Sequence, residues 1–433
     1  MRTDPRSVVT ATAVLTPLGD SVTGLFDSLV AGESGLSWHE GDETGVRTAV
    51  GVVDDSLIAS GDFPSRLRRH ADRSALLALS AVSRLLRTMG ISQAALESRE
   101  PFGLPGERVG VVWGSSSGTP GATQKAFSAF ASGGRQSLKR IAPLSGVYGS
   151  PSATSAVIAE LIGARGPNII VNTECASGTT ATALASMLIE SGTADLVVCG
   201  GSDATLDAFS IAQVDLLGAT HSAEHELPSQ CSRPFDGDRN GFVPAEGASA
   251  LVVESADSAA SAGRQSLASV LGYGMSTNSG HLTQPDQDGA GLRACLAAAM
   301  SAADASAEDI ALYSAHGTGT PQNDPLELSA LESVLGSARF RLTPVQAVKA
   351  NIGHTLAAAG AVEIALAIES LHRRLTPPIL NCSSPIRTDA RLIRNAPAAL
   401  EAGAALSCSS GFGGSNAAVI LGLLPDESRS SPC

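Results

Sequence analysis

Asn168-Ile169-Ile170-Val171-Asn172-Thr173-Glu174-Cys175-Ala176-Ser177-Gly178 runs straight into the Ala- and Thr-rich stretch that begins at Thr179. The apolar, β-branched opening reads as a buried strand over 168–172, and the spacing of apolar residues predicts a helix over 179–190. A cysteine at such a junction faces orphan backbone N–H groups and the positive end of a helix dipole, and both favour its thiolate form. Free cysteines are also among the most buried residue types. On these residues alone Cys175 is either a nucleophile or a structural thiol.

Moving outward, short apolar runs at 108–113, 195–199, 248–254, 310–313, 345–348, 405–408 and 417–421 alternate with helical patterns at 74–86, 291–303, 325–335 and 357–371. The run from Val8 to Gly19 adds a first strand and turn. Strands that are apolar throughout belong in a parallel or mixed sheet covered on both faces, so the class is α/β. The chain has 433 residues, 43% of them hydrophobic and 16% charged. That exceeds the roughly 250–300 residues at which a single core stops growing, which implies two domains or one duplicated unit. An internal echo favours duplication. Gly241-Phe242 leads into the strand near 248, and Gly411-Phe412 leads into the strand near 417, 170 residues later. The join falls within 255–266. It gives an N-terminal half 1–255 with the cysteine, a C-terminal half 256–424 with two notable histidines, and a flexible tail 425–433.

Composition narrows the function. A formal net charge of −13, no basic tail and only 3% aromatic residues argue against nucleic-acid or anionic-membrane partners. Seven cysteines, an odd number with no CxxC pair, speak against a disulfide framework or a zinc ribbon, and no metal site is expected. No apolar stretch reaches 18 residues, so nothing spans a membrane. A reducing, cytoplasmic setting is the expectation.

Two histidines follow strands in Gly-rich turns, in Ser314-Ala-His316-Gly-Thr318-Gly-Thr320 and in Lys349-Ala-Asn-Ile-Gly-His354. Ligands of open α/β sheets gather at the carboxyl ends of strands, so Cys175, His316 and His354 can converge there. A thiol with two imidazoles suits nucleophilic catalysis with stabilisation of an anion. Singly, each histidine also fits a hydrogen-bonded turn. Gly114-Ser-Ser116-Ser-Gly118 formally matches a serine-hydrolase elbow with Ser116 as nucleophile, but Pro120-Gly121 follows where an elbow needs an immediate helix.

Thr173–Gly178, Ser232-Arg-Pro-Phe-Asp236, Gly241-Phe-Val-Pro-Ala-Glu246-Gly247, His316–Thr320, Lys349–His354 and Ser410-Gly-Phe412-Gly-Gly-Ser-Asn416 occur in this order. Together they resemble the β-ketoacyl carrier-protein synthases, or ketosynthases, over nearly the whole chain. The resemblance implies a thiolase fold, a duplicated αβαβα unit that dimerises with itself or with a ketosynthase-like subunit. It implies that Cys175 accepts an acyl group as a thioester, and that His316 and His354 support decarboxylation of a malonyl-type extender. It makes the N–H groups of Cys175 and Phe412 an oxyanion hole and the Phe412 ring a gate. Thr318 and Thr320 would hold the phosphopantetheine arm, and Lys349 and Glu246 would form a supporting charged pair. No cofactor is bound, since the acyl carrier protein brings its own phosphopantetheine. Arg66, Arg69 and His70, in a basic run expected to open a helix, would dock that acidic carrier, and His281 would be structural.

The sequence also departs from the pattern. The family usually has a small residue before the nucleophile; here stands Glu174, whose carboxylate opposes thiolate formation and is expected to protrude into the acyl pocket. Pro321-Gln-Asn-Asp324 is similar to ketosynthases of polyketide systems. The expected reaction is therefore decarboxylative condensation in specialised polyketide or fatty-acid biosynthesis. The alternatives are acyl transfer from Cys175 to another acceptor, and a non-catalytic partner subunit.

Overall fold

The computed structural model describes residues 7–424 apart from 40–47, 60–62, 70, 119, 142, 222–226, 282–285 and 287. The expected tail 425–433 lies outside the described residues. Among these, ten strands join in one sheet: β1 (Ser7–Leu15), β2 (Val109–Gly114), β3 (Asn168–Val171), β4 (Leu196–Asp203), β5 (Gly247–Ser255), β6 (Ala268–Thr277), β7 (Ile310–Ser314), β8 (Val345–Gln346), β9 (Ala404–Ser410) and β10 (Ser415–Gly422). Their order is β8-β7-β9-β10-β6-β1-β5-β4-β2-β3. Split between β6 and β1, each half has its third strand at the edge, followed by its second, fourth, fifth and first. The directions agree as well. β2 is parallel to β3 and β4, as β7 is to β8 and β9, while the remaining neighbours within each half are antiparallel. The halves meet where Val8 and Val9 of β1 pair with Ser269 and Ala268 of β6.

The side-chain period of two then dictates the layers. In β5, Ala248, Ala250 and Val252 face α1 (Arg73–Thr88) and α2 (Ser152–Ile162), whereas Leu251 and Val253 face the opposite side. In β10, Ala418 and Ile420 face α4 (Ala290–Ala302) and α5 (Asn323–Phe340), whereas Val419 and Leu421 turn away from them. The inner faces of both halves close on α3 (Ser177–Glu190) and α6 (Ala359–Arg373), which form the middle layer. This is the duplicated five-layer αβαβα arrangement. Gly241-Phe242 and Gly411-Phe412 precede β5 and β10, which occupy equivalent places, although only the second forms a 3-10 turn, Phe412–Gly414.

Several boundaries differ from the sequence reading. β4 continues past 199 to Asp203, and this carries a carboxylate to the strand end. β8 stops at Gln346, and a helical turn, Lys349–Ile352, separates it from His354. β6 was not anticipated, because Gly272 and Gly274 break its β-branched signal. Those glycines are required by packing: a Cβ at Gly274 would lie 2.1 Å from the Cys295 carbonyl oxygen of α4. No helix among the described residues is long and apolar enough to cross a membrane.

Gly274→Val forces α4 away from β6. The expected outcome is a thermal midpoint lowered by about 3 °C or more in a calorimetric scan; an unchanged midpoint contradicts the close packing.

Candidate active site

Cys175 lies in the one-turn 3-10 element Glu174–Ala176 between β3 and α3. The turn is locked locally, since Thr173 N donates to Ser177 Oγ (2.9 Å) and Ser177 Oγ donates to the Glu174 carbonyl (2.6 Å). Gly411 closes on it from the other half. A Cβ there would fall 2.3 Å from the Thr173 carbonyl and 3.2 Å from Cys175 N, so only glycine lets the Phe412 turn approach Cys175.

His316 follows β7, and its loop wraps a carboxylate from α5. His316 N and Gly317 N donate to Glu327 at 2.6 and 2.9 Å, and Tyr313 Oη donates to the same group at 2.9 Å. His354 is held by the first half: its N–H donates to the Val243 carbonyl (2.8 Å) and its carbonyl accepts from Ala245 N (3.0 Å). The two imidazoles stand edge to face with centroids 5.3 Å apart, and the Phe242 ring meets His354 at 5.0 Å. One cleft of about 170 Å³ brings together Cys175, His316, His354, Thr318, Thr320 and Phe412. Thr318 and Thr320 share a hydrogen bond of 2.9 Å, and Asp324 anchors Thr318 and Gly319 N.

The electrostatics fix the protonation states. The Leu356 N–H donates to His354 Nδ1 (3.3 Å), and the Lys349 ammonium lies 3.4 Å from His316 Nδ1. Both Nδ1 atoms are then acceptors, which assigns the proton of each ring to Nε2. Burial first, then the Lys349 charge, holds both imidazoles well below their usual value, so they are neutral donors. Lys349 is itself buried between the Glu363 carboxylate and the His316 carbonyl. Burial pushes the Cys175 thiol up to about 12, the Glu174 carboxylate adds to the rise, and Lys349 opposes it. Burial and the Glu174 carboxylate therefore act against the dipole-stabilised thiolate expected from the sequence.

Two other expectations, the Lys349–Glu246 pair and one helix opened by the basic run, are corrected. Lys349 and Glu246 do not pair. Glu246 is held by Arg73, whose Nε and Nη2 donate to its two oxygens at 2.6 Å each, and by Val53 N at 3.0 Å; the partner of Lys349 is Glu363. The basic run does not open one helix either. Ser65–Arg68 is a separate turn and Asp72 caps α1, so Arg73 points inward. Arg66 is exposed and pairs with Glu160 at 2.9 Å, Arg69 is exposed, and His70 lies outside the described residues. Ser116 does not form a hydrolase elbow: its hydroxyl donates to Asp203 Oδ2 at 2.6 Å. Glu174 is half-buried beside the thiol but does not line the cleft that holds the histidines. His281 is exposed.

Sequence reasoning did not single out Asp203, Phe242, Glu327 or Glu363. Glu363 carries a readable signal, a lone acid in the apolar stretch 357–368, because an acid is almost never fully buried without a partner. Phe242 was visible only as half of the Gly-Phe echo.

Residues 5–259 match the beta-ketoacyl synthase N-terminal domain and residues 267–383 the corresponding C-terminal domain. The chain is 31% identical to the tetracenomycin polyketide synthase ketoacyl synthase alpha subunit of Streptomyces glaucescens over 99% of each protein. Among solved structures, it superposes on a type II polyketide synthase ketosynthase, bound to a hexaketide and in complex with its acyl-carrier protein. That match has a TM-score of 0.85 and 27% identity, over 97% of this chain and 100% of that one. The ishigamide ketosynthase/chain length factor gives a TM-score of 0.84 at 28% identity, over 97% of this chain and 99% of that one.

Because thiolate is the reactive form and the thiol is raised, alkylation of Cys175 by iodoacetamide, followed by peptide mass, is expected to accelerate about tenfold per pH unit from 7 to 9. A plateau below pH 8.5 would show a stabilised thiolate instead. Glu363→Ala strands a buried ammonium and is expected to cost about 3–5 kcal/mol in urea unfolding, while Lys349→Met with Glu363→Leu recovers most of that loss. Equal losses in the single and double variants would mean that pairing is not what keeps Lys349 buried.

Proposed function

The chain belongs to the beta-ketoacyl synthase family, and on that footing we propose that it condenses a Cys175-bound acyl group with a malonyl-type thioester carried on an acyl carrier protein. The observation that carries this reading is the pair of neutral imidazoles, each with its proton on Nε2, in one cleft with the thiol.

The reaction runs in two halves. Cys175 Sγ attacks the acyl thioester, the new C–S bond forms, and the carrier thiol leaves with the proton. Removing that proton from a buried thiol belongs to the attack itself, since the thiolate is scarce at rest. The extender then loses carbon dioxide as its C–C bond to the carboxylate breaks, and the electron pair moves onto the thioester oxygen. The Nε2–H groups of His316 and His354 stabilise that enolate. Its carbon attacks the acyl-enzyme, a C–C bond forms, and Cys175 leaves as thiolate and recovers a proton. The N–H groups of Cys175 and Phe412 hold the tetrahedral oxyanion, and the half-buried Phe412 ring gates the cleft. Thr318 and Thr320 contact the pantetheine arm, and Lys349 keeps the imidazoles neutral. No resident cofactor enters this chemistry.

The exposed Arg66 and Arg69, with His70, form the carrier-docking surface of this reading, where local positive charge opposes the net −13. Residues 1–255 and 256–424 are taken as the two halves, supported by their matching strand order. The pathway is specialised polyketide biosynthesis, supported by the Streptomyces relative. A second subunit, either a copy or a ketosynthase-like companion, follows from the ketosynthase/chain length factor match. A reducing cytoplasm suits the free buried thiols.

With acyl- and malonyl-loaded carrier protein, the wild type is expected to show one acyl adduct on Cys175, carbon dioxide release and an elongated product. Cys175→Ala loses the adduct. His354→Ala keeps the adduct but loses carbon dioxide release by at least ~100-fold. An adduct without decarboxylation in the wild type would indicate transfer to another acceptor, and no adduct from any donor a non-catalytic subunit.

A further inference from the structure

We propose that Glu174 selects the acyl group loaded on Cys175, favouring chains with a hydroxyl donor close to the thioester over hydrocarbon chains of equal length. The inference rests on Cys175 being the acyl-bearing nucleophile.

The backbone gives the first argument. Glu174 has φ +50°, in the left-handed region that L residues other than Asn and Asp rarely adopt and that glycine occupies freely. A glutamate kept at such a strained position beside a nucleophile points to a use for its side chain.

The second argument is the state of the carboxylate. It is half-buried, and among the described residues it has no hydrogen-bond or ion-pair partner. Donors on the neighbouring segments are taken. Ser116 N and Oγ, Ser115 Oγ and Ala357 N all donate to Asp203, at 2.6–3.2 Å. Asn172 Nδ2 donates to the Ser116 carbonyl (2.8 Å), and Asn172 Oδ1 accepts from Glu174 N. Lys349 is held by Glu363 and the His316 carbonyl. The charged group that acts on Glu174 is Asp203, which, with burial as the larger cause, pushes Glu174 up to about 7. The acid is therefore poised to ionise above neutrality and still lacks a donor.

The third argument is the direction of traffic. The extender must meet the imidazoles, so it enters through the cleft that contains them, and Glu174 does not line that cleft. Gly411 presses on the Glu174 stem from the gate side, since a Cβ there would lie 3.1 Å from Glu174 Cβ. In this proposal the acyl chain leaves the sulfur on the side away from the incoming extender and covers the carboxylate. Hydrocarbon laid over an unpaired carboxylate removes its water and returns nothing, whereas a hydroxyl supplies the missing donor.

The test is competition between carrier protein loaded with 3-hydroxybutanoyl and with butanoyl, reading the two Cys175 adducts by intact mass at pH 8. Wild type is expected to favour the hydroxy chain about tenfold, the discrimination typical of one buried hydrogen bond. Glu174→Ala brings the ratio to unity or below. Glu174→Gly, which suits the left-handed backbone, does the same without risk of strain. A generally damaged site slows both donors together and leaves the ratio in place. If wild type shows no preference, or the variants keep its ratio, the selection idea is overturned while the nucleophile stands. If neither donor labels Cys175 in wild type, the condensing function falls and this inference with it.

Discussion

The ammonium of Lys349, only 2% exposed, is the charge around which this site is arranged. A cation taken that far from water persists only if an anion and further acceptors surround it. Glu363 supplies the anion from α6 and the His316 carbonyl supplies the acceptor from the loop after β7. Three separate elements are thereby pinned to one point. The ammonium cannot serve as a free charge for substrate, yet after burial its field is the next cause that holds both imidazoles well below their usual value. A protonated imidazole would be repelled by it; a neutral one can donate a hydrogen bond through Nε2.

The same dryness governs the thiol. A helix start and a nearby ammonium both favour thiolate, and neither overcomes complete burial with the Glu174 carboxylate alongside. Burial and that carboxylate thus favour the thiol form of Cys175. The carboxylates below it follow one rule: Asp203 and Glu327 are buried, and each is surrounded by backbone and hydroxyl donors that tie down a loop. These acceptors fix the direction of backbone N–H groups that apolar packing could not orient.

What was legible in the sequence was local. The strand-turn-helix around Cys175, the strand end before His316 and the alternation of strands and helices are written in neighbouring residues. The Gly-Phe echo exposed the duplication, which the strand order bears out. Partner choice was not legible, because it is decided by tertiary placement. Glu246 meets Arg73 across 173 residues, and nothing near either residue in sequence announces it. The run from Arg66 to Arg73 looks like one basic patch. In three dimensions Arg66 turns to Glu160 and Arg73 goes inward, because Asp72 starts a new helix between them. β6 was lost to sequence reading because two glycines needed for close helix packing also erase strand propensity.

The echoed motifs have exchanged duties. The first-half segment around Val243–Ala245 grips the backbone of His354, which belongs to the second half, while Gly411 of the second half closes against the turn of Cys175, which belongs to the first. Neither half therefore contains the whole cleft. During synthesis, Cys175 emerges from the ribosome more than two hundred residues before the Gly411-Phe412 turn. Both histidines precede that turn, so until it docks the cleft lacks only its Gly411-Phe412 side. A chain that stops before Gly411 therefore presents Cys175 without the turn that closes on it.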